Sequence, residues 1–288
     1  METRFLKTLA AVAKAGSMAA AARAEGITPA AVNQCVRVLE RELKTALFAR
    51  AGKTVLPTEA CLRLLPHARQ LVADAGQLAN RMDDTGLSGE LKIGAIATLM
   101  AGLVPDALVR LGDNAPGLKP QMFPGTSPQL YEMLLRSELD LALVIQPPFP
   151  LPKSLKLTDL RTEPLMFLAH KDLDMPIEAA LRSQPYIRYD PQSWGGRQAQ
   201  RYLQDSGITP NMFCTMDDLE TTARMVEKGL GVSLVPNWLS ANRRNILLCW
   251  QSVADEQYAR HLICLTPAVS ARQQAIDAFI KHITPSDQ

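Results

Sequence analysis

The stretch TPAAVNQCVRVLERELKTALFAR, residues 28–50, has two chemically different sides when it is read as a helix. Its apolar residues recur at helical spacing: Ala31, Val32, Cys35, Val36 and Leu39. The opposite side carries Asn33, Gln34 and Arg37. Asn and Gln can each pair with adenine in the major groove, and Arg can reach a guanine edge or a phosphate. An alternative stays open here, because polar residues on a helix usually form an ordinary solvated face.

Two shorter helices are predicted before this one, and turn signals separate the three. Apolar residues at helical spacing indicate the first: Phe5, Leu6, Leu9, Val12 and Ala13. Gly16 ends it, Ser17 can cap an alanine-rich second helix, and Gly26 breaks that second helix. Thr28 caps the third, with Pro29 at its first position, where a missing N–H costs nothing. This order is typical of a helix-turn-helix, whose polar helix reads DNA.

A basic hairpin is predicted directly after the third helix. RAGKTVLPT, residues 50–58, reads as a two-stranded wing that turns at its glycine. Arg50, Lys53 and Thr54 lie on this wing, where basic side chains and backbone N–H groups would hold phosphates. The order of helix, capped helix, capped helix and basic wing favours a DNA-binding domain over a solvated helical face.

The composition agrees with a basic segment joined to a near-neutral body. The chain has 288 residues, of which 47% are apolar and 21% charged, as in a globular protein of two or three domains. Residues 1–60 hold nine Lys or Arg against five Asp or Glu, a net +4, whereas the remainder holds 22 against 24, a net −2. This asymmetry suits contact between the N-terminal segment and a polyanion.

The cysteines, histidines and apolar stretches predict a cytoplasmic protein without a metal. The five cysteines are far apart and have no zinc-binding spacing: Cys35, Cys61, Cys214, Cys249 and Cys264. We expect reduced, mostly buried thiols, which points to a reducing cytoplasm. The four histidines are scattered, so neither a metal site nor a cofactor is predicted. The N-terminus lacks an export signal, and no apolar run is long enough to span a bilayer, so we expect no membrane partner.

A long helix is predicted from Thr58 to about residue 86. Six residues form a stripe spaced 4, 3, 4, 3 and 4: Leu64, Ala68, Leu71, Ala75, Leu78 and Met82. Such a stripe predicts a coiled-coil seam between two copies, and the alternative is an amphipathic helix packed on its own domain. Pro66 is expected to kink or break the helix near its start.

From Ser88 onward, predicted strands alternate with predicted helices, which implies a parallel, doubly wound sheet. The predicted strands are 91–96, 118–123, 139–145, 164–170, 185–189, 212–216, 231–236 and 261–266. The predicted helices are 98–111, 127–138, 196–206, 218–228 and 270–283. Two such sets, separated by the proline-rich run QPPFPLP, suggest two α/β lobes joined by crossing strands, a periplasmic-binding-protein-like shape.

A ligand site is predicted where strands of these lobes end and helices begin, because ligands in open α/β sheets bind beyond the carboxyl ends of strands. The candidate effector-binding residues are Thr98, Leu99, Met100, Thr126, Ser127, Ser193, Trp194 and Asp217. The hydroxyl and N–H groups among them suit a carboxylate or a similar organic anion. Plain helix capping is the alternative for each Ser and Thr. Arg188 and Arg197 could pair with an anion, although surface placement is favoured for both.

Residues 1–60 resemble the winged helix-turn-helix of LysR-type transcriptional regulators. Four motifs carry the resemblance: Gly16-Ser17 before the second helix, Leu39-Glu40 at the end of the third, Leu47–Arg50, and Pro57–Ala60 with proline in place of leucine. The C-terminal part resembles the family less specifically, chiefly through GLGVSLVP and SELDLAL. Pro29, Asn33 and Gln34 stand where the family often has Gln, Ser and Arg, so the reading face predicts a different, adenine-containing half-site.

The resemblance implies an α+β multidomain fold: a winged helix-turn-helix at 1–60, a linker helix at 61–88 that pairs two copies, and a two-lobed effector-binding domain at 89–288. Its first lobe would span about 90–160 and 267–288, and its second lobe about 161–266. The expected partners are double-stranded DNA, a small-molecule effector and further copies in a homodimer or homotetramer. The expected DNA contacts are Ser17, Thr28, Pro29, Ala30, Asn33, Gln34, Arg37, Arg50, Lys53 and Thr54.

Two other functions compete with a transcriptional regulator. A solute-binding protein, or a ligand sensor without a DNA-binding role, would use the same α/β lobes but would leave residues 1–60 unexplained. An enzyme would need positioned groups, and the sequence contains no GxGxxG, GxxxxGK, HExxH or GxSxG motif. We therefore predict a DNA-binding regulator that is not an enzyme.

Overall fold

The computed structural model describes residues 2–51, 54–76, 86–238, 246–253 and 256–284. The chain divides into two compact units, which are treated separately. The N-terminal unit comprises residues 1–88 and 132–139, and the C-terminal unit comprises residues 89–131 and 140–288.

The N-terminal unit begins with the three helices and the hairpin that the sequence predicts. Its elements are α1 (Thr3–Ala15), α2 (Met18–Glu25), α3 (Pro29–Leu43), β1 (Phe48–Ala51), β2 (Thr54–Pro57) and α4 (Glu59–Gly76). β1 and β2 pair antiparallel. Leu9 and Leu39 are fully buried in one core with Leu47, while Val32 and Val36 of α3 pack with Val12 in a second cluster. The apolar side of α3 thus anchors it and leaves its polar side outward.

The sequence predicted a kink or a break at Pro66, and of these two the break is wrong, because α4 continues through this residue. Cys61, Leu65 and Ala68 of α4 are buried in the same core as α1. This packing offsets the one backbone hydrogen bond that proline removes.

The predicted coiled-coil stripe of α4 is divided between two environments. Ala68 is buried in the N-terminal unit's own core and Leu64 packs against it, as the single-domain alternative predicted. Leu71 is 49% exposed and Ala75 is half-buried. The last two predicted positions, Leu78 and Met82, lie outside the described residues. Only part of the stripe is therefore available for pairing with another chain.

The first lobe of the C-terminal unit is built on a five-stranded sheet. Its strands are β3 (Gly89–Ala95), β4 (Leu118–Pro124), β5 (Leu141–Ile145), β6 (Leu155–Glu163) and β12 (Arg260–Pro267), in the order β4-β3-β5-β12-β6. Its helices are α5 (Ala97–Ala101), α6 (Leu103–Asn114), α7 (Ser127–Leu135, of which residues 127–131 belong to this unit) and α11 (Gln273–Ile283). β3 is parallel to β4 and β5, whereas β12 is antiparallel to β5 and β6.

The second lobe contains two small sheets. Its elements are β7 (Leu165–His170), α8 (Ile177–Ser183), β8 (Tyr186–Tyr189), α9 (Gly196–Asp205), β9 (Met212–Met216), α10 (Leu219–Glu227), β10 (Ser233–Pro236), β11 (Leu248–Ser252) and a 3₁₀ turn at Glu256–Tyr258. β7 lies between β10 and β11 and is antiparallel to both, while β8 and β9 are parallel. A parallel bridge between Tyr186 and Val232 connects the two sheets.

The structure corrects three predictions about these lobes. The strand predicted at 261–266 is part of β12 and lies in the first lobe's sheet, not in the second lobe. Both lobes contain antiparallel strand pairs, so the prediction of a purely parallel sheet is wrong. The error arose because the apolar composition of a strand indicates that it is buried but not in which direction it runs. Gly102 divides the helix predicted at 98–111 into α5 and α6.

Candidate functional site

The polar side of α3 lies on the surface of the N-terminal unit. Gln34 and Arg37 are exposed, and Asn33 is half-buried. Asn33 Nδ2 donates to the Pro29 carbonyl oxygen at 3.0 Å, which leaves its second N–H and its Oδ1 for another pairing. Together with Ala30, Val38 and Arg41, these residues line a surface depression. The arrangement offers amide and guanidinium groups along one face, as adenine and guanine edges require.

The other predicted DNA contacts surround this face. Thr28 caps α3 by accepting a hydrogen bond from Ala31 N at 3.2 Å, and Ser17 caps α2 through Ala20 N at 3.4 Å. Pro29, Ala30 and Thr54 are exposed. The last two predictions concern the wing: Arg50 lies in β1, and its side chain lies outside the described residues, as does the whole of Lys53.

Hydrogen bonds fix the wing against the helices. Glu40 Oε1, near the end of α3, accepts hydrogen bonds from Leu47 N at 2.7 Å and Phe48 N at 3.3 Å. Val55 N of β2 donates to the Gly16 carbonyl oxygen at 3.0 Å, in the turn between α1 and α2. Glu40, the second residue of the Leu-Glu pair in the sequence, therefore positions the wing.

Replacing Glu40 with alanine should destabilise the segment that carries the wing. It leaves two backbone N–H groups without their acceptor, which costs about 1–3 kcal/mol. Hydrogen–deuterium exchange of peptides covering residues 44–58 in the full chain should show faster exchange. Glu40→Gln, which keeps one acceptor oxygen, is the control and should lose less protection. Equal protection in Glu40→Ala and the unchanged chain would refute this role.

A cavity of about 340 Å³ in the C-terminal unit is lined by residues of both lobes. Six of the predicted effector residues line it: Thr98, Thr126, Ser127, Ser193, Trp194 and Asp217. Leu99 is fully buried and Met100 is half-buried, and neither of these two predicted residues lines the cavity. The reason is helical geometry: Thr98 and Ala101 of α5 share the cavity face, and residues between them point elsewhere.

A buried ionic cluster at the edge of the cavity was missed from the sequence. Arg260 is 2% exposed, and its Nε donates to Glu163 Oε2 at 2.6 Å. Its Nη2 donates to Thr98 Oγ1 at 3.2 Å, and its Nη1 to Tyr189 Oη at 3.3 Å. Arg161 also pairs with Glu163, which is 1% exposed. Arg260 of β12 and Glu163 of β6 lie directly opposite each other in the sheet. Opposite charges at such positions favour pairing, so recognising β6 in the sequence would have indicated this ion pair.

The second lobe's side of the cavity is rich in carboxylates. Asp190, Asp217, Asp218 and Glu220 all line it. Partial burial raises the pKa of Asp217, and the nearby carboxylates of Asp190 and Asp218 raise it further, while Ser193 and Arg260 lower it. Asp217 is nevertheless an exposed residue, so these influences are screened by solvent. The cavity therefore has a strongly uneven charge distribution.

An aromatic group forms an apolar part of the same region. Trp194 lines the cavity, and its ring makes edge contacts with Tyr131 and Phe149 at centroid distances of 6.0 and 5.6 Å. Phe149 comes from the proline-rich run between the two predicted sets of strands. Such rings supply apolar contact area beside the polar groups that orient a ligand.

A winged helix-turn-helix followed by a two-lobed α/β fold with an interlobe cavity defines a ligand-responsive DNA-binding regulator as a class. Two family models match the chain. "Bacterial regulatory helix-turn-helix protein, lysR family" matches residues 3–62, and "LysR substrate binding domain" matches residues 84–287. The chain belongs to the LysR family of transcriptional regulators.

Individual relatives agree with this assignment. The chain is 30% identical over 251 residues to the HTH-type transcriptional regulator TtuA of Agrobacterium vitis, covering 83% of this chain and 81% of that protein. It is 27% identical over 296 residues to the transcriptional activator IlvY of Salmonella typhimurium, covering 98% and 99%.

Solved structures share the fold over nearly the whole chain. A full-length variant of OxyR from Pseudomonas aeruginosa superposes with a TM-score of 0.74 at 20% identity, covering 98% of this chain and 94% of that one. Full-length CbnR, solved in complex with target DNA, gives a TM-score of 0.65 at 22% identity, covering 98% and 99%.

The family assignment makes the chain a DNA-binding transcriptional regulator with an effector-binding domain. A solute-binding protein without a DNA-binding role is not favoured, because residues 3–62 match the family's helix-turn-helix. The relatives are transcriptional regulators, a class of proteins that are not enzymes. Among the described helices, none has the length and hydropathy needed to cross a membrane.

Proposed function

We propose that α3 reads base edges in the major groove of its operator through Asn33, Gln34 and Arg37. The observation that carries this proposal is the continuous polar face that these three side chains present at the surface. Asn and Gln each match the adenine edge, and Arg matches a guanine edge or a phosphate. The preferred half-site then contains adenine.

The remaining predicted contacts hold the DNA backbone. Thr28, Pro29 and Ala30 lie at the N-terminus of α3, where the helix dipole favours a phosphate. Arg50, Lys53 and Thr54 are assigned to the wing's phosphate contacts, and Ser17 to a contact beside the start of α2. These contacts fix the register of α3 but carry no sequence information.

We further propose the domain plan 1–60, 61–88 and 89–288, in which the middle segment pairs two copies. The exposed Leu62 and Leu71 of α4 support this pairing, because large apolar side chains are costly to leave in water. A two-fold dimer, alone or doubled into a tetramer, fits a near-palindromic site. The protein acts in the cytoplasm, where its DNA is, and has no catalytic role.

The cavity in the C-terminal unit is proposed as the effector site. Thr98, Thr126 and Ser127 contribute from the first lobe, and Ser193, Trp194 and Asp217 from the second. A ligand that contacts both lobes changes the balance between conformations only if it binds one of them better. That difference is what would alter the placement of the DNA-reading domains.

Footprinting with the full chain tests the DNA-reading face. Asn33→Ala and Gln34→Ala should each relax base preference at defined positions, by about 1–3 kcal/mol of discrimination per lost pair. Lys53→Ala should instead weaken all sequences alike and reduce the salt slope by about one.

A matched control exists for Asn33. Asn114 of α6 is exposed, and its Nδ2 donates to the Arg110 carbonyl oxygen at 2.7 Å, the same four-residue bond that Asn33 makes to Pro29. Asn114→Ala should therefore leave the footprint unchanged. If Asn33→Ala and Gln34→Ala behave like this control, α3 does not read the bases.

A further inference from the structure

The two walls of the interlobe cavity differ in hydrogen-bonding chemistry, and this difference indicates the class of effector. The inference rests on the proposed role of the cavity as the effector site. On the first lobe's wall, Ser127 is 4% exposed, and its Oγ accepts a hydrogen bond from Ile145 N at 3.1 Å. Its hydroxyl hydrogen is then left to donate, and within the described residues it has no acceptor.

Thr98 and Arg260 add donors to the same wall. Thr98 Oγ1 accepts from Arg260 Nη2, so its own O–H also remains to donate. Arg260 has five N–H donors, and its bonds to Glu163, Thr98 and Tyr189 occupy four of them within the part of the chain that the structure describes. One Nη1 hydrogen remains. These donors lie on three residues that line the same cavity, and together they match the oxygens of a carboxylate.

The opposite wall offers acceptors. Asp218 Oδ1 accepts from Thr221 N at 2.6 Å, and Glu220 Oε1 accepts from Trp238 Nε1 at 3.1 Å. These neutral donors orient the carboxylates but do not neutralise them. Both side chains lie at the N-terminus of α10, whose dipole compensates part of their charge.

Asp190 directly follows β8 and Asp217 directly follows β9, so neither lies within a helix. Asp190 Oδ1 accepts from Gln192 N at 2.9 Å, again a neutral donor. Among the described residues, neither carboxylate has a cation within ion-pair distance. Burial raises the pKa of Asp217 most, and the nearby Asp190 carboxylate raises it further, while Ser193 and Arg260 lower it. A purely anionic ligand would add a further negative charge to this wall.

We propose that the effector is a small zwitterion that places its carboxylate at Thr98, Ser127 and Arg260 and its ammonium group at Asp190 and Asp217. The ammonium group supplies N–H donors and the positive charge that this wall lacks. The organic anion expected from the sequence describes only one end of this ligand.

Matched ligand pairs test the proposal on the full-length protein by calorimetry. The probes are the common α-amino acids at millimolar concentration, each compared with the 2-hydroxy acid of the same side chain, which replaces ammonium by hydroxyl. At least one amino acid should bind about tenfold more tightly than its hydroxy acid. The proposal is overturned if hydroxy acids bind as well as amino acids, or if no amino acid binds.

Two substitutions locate the ammonium group. Asp217→Asn should reduce amino acid binding about tenfold and bring it close to that of the hydroxy acid. Asp113→Asn, at an exposed position on α6, is the control and should change neither. Tryptophan fluorescence checks folding, and Asp190→Asn replaces Asp217→Asn if the latter misfolds.

Footprinting of the same preparation separates the two levels of the proposal. If the DNA is protected and only hydroxy acids bind, the zwitterion assignment fails while the regulator's proposed function stands. If the DNA is not protected and no probe binds, the proposed function itself fails.

Discussion

Replacing Glu163 with alanine should destabilise the C-terminal unit by about 3–5 kcal/mol, because a buried charge loses its partner. Glu163 is 1% exposed and Arg260 is 2% exposed, so solvent does not replace the lost carboxylate. Arg161 and Arg260, which share this carboxylate, are then left facing each other. Urea unfolding of the full chain measures the loss. All three tryptophans, Trp194, Trp238 and Trp250, lie in this unit, so their fluorescence reports its unfolding.

A surface pair provides the comparison for this prediction. Glu178 and Arg182 form an ion pair at 2.9 Å within α8, with side chains 63% and 45% exposed. Glu178→Ala should cost no more than about 1 kcal/mol, since solvent screens both charges. A similar loss in Glu163→Ala and Glu178→Ala would mean that the buried cluster contributes nothing beyond an ordinary surface pair.

The N-terminal unit was predictable because its signals are local. Ser17 and Thr28 cap the helices that follow them, as the sequence indicates, and each cap acts over three residues. The alternation of apolar and polar positions along α3 also repeats within a few residues. Such features need no knowledge of distant contacts, so helix boundaries and the exposed face of α3 follow from the sequence.

The cavity was only partly predictable because its ionic cluster joins distant parts of the chain. The rule that ligands bind where strands end and helices begin predicted Thr98, Thr126 and Ser127, and all three line the cavity. Arg260 and Glu163 are 97 positions apart, and their pairing depends on the register of β12 and β6. β6 was missed because it is an edge strand whose sequence, LKLTDLRTE, is largely polar. α8 and β11 were missed as well.

Replacing Gly231 with alanine should destabilise the second lobe by about 2–6 kcal/mol, the sum of about 1–3 for a strained backbone and about 1–3 for forced displacement of packed atoms. Gly231 has a φ of +154°, and a Cβ atom added to it would lie 2.0 Å from the carbonyl oxygen of Pro185. That oxygen accepts a hydrogen bond from Val232 N at 2.9 Å, and the Val232 carbonyl oxygen accepts one from Ile187 N at 2.9 Å. Moving Pro185 to make room would break this connection between the lobe's two sheets.

Gly229, two residues earlier in the same GLGVSLVP motif, separates the backbone cost from the steric one. It has a φ of +74°, but a Cβ atom there would meet nothing within 4 Å. Gly229→Ala should therefore cost only about 1–2 kcal/mol, the penalty of a left-handed conformation. Urea unfolding followed by tryptophan fluorescence compares the two variants under identical conditions. Equal losses of unfolding free energy in the two variants would show that Pro185 can move without a loss of stability. The motif would then need glycine at both positions only for its backbone conformation.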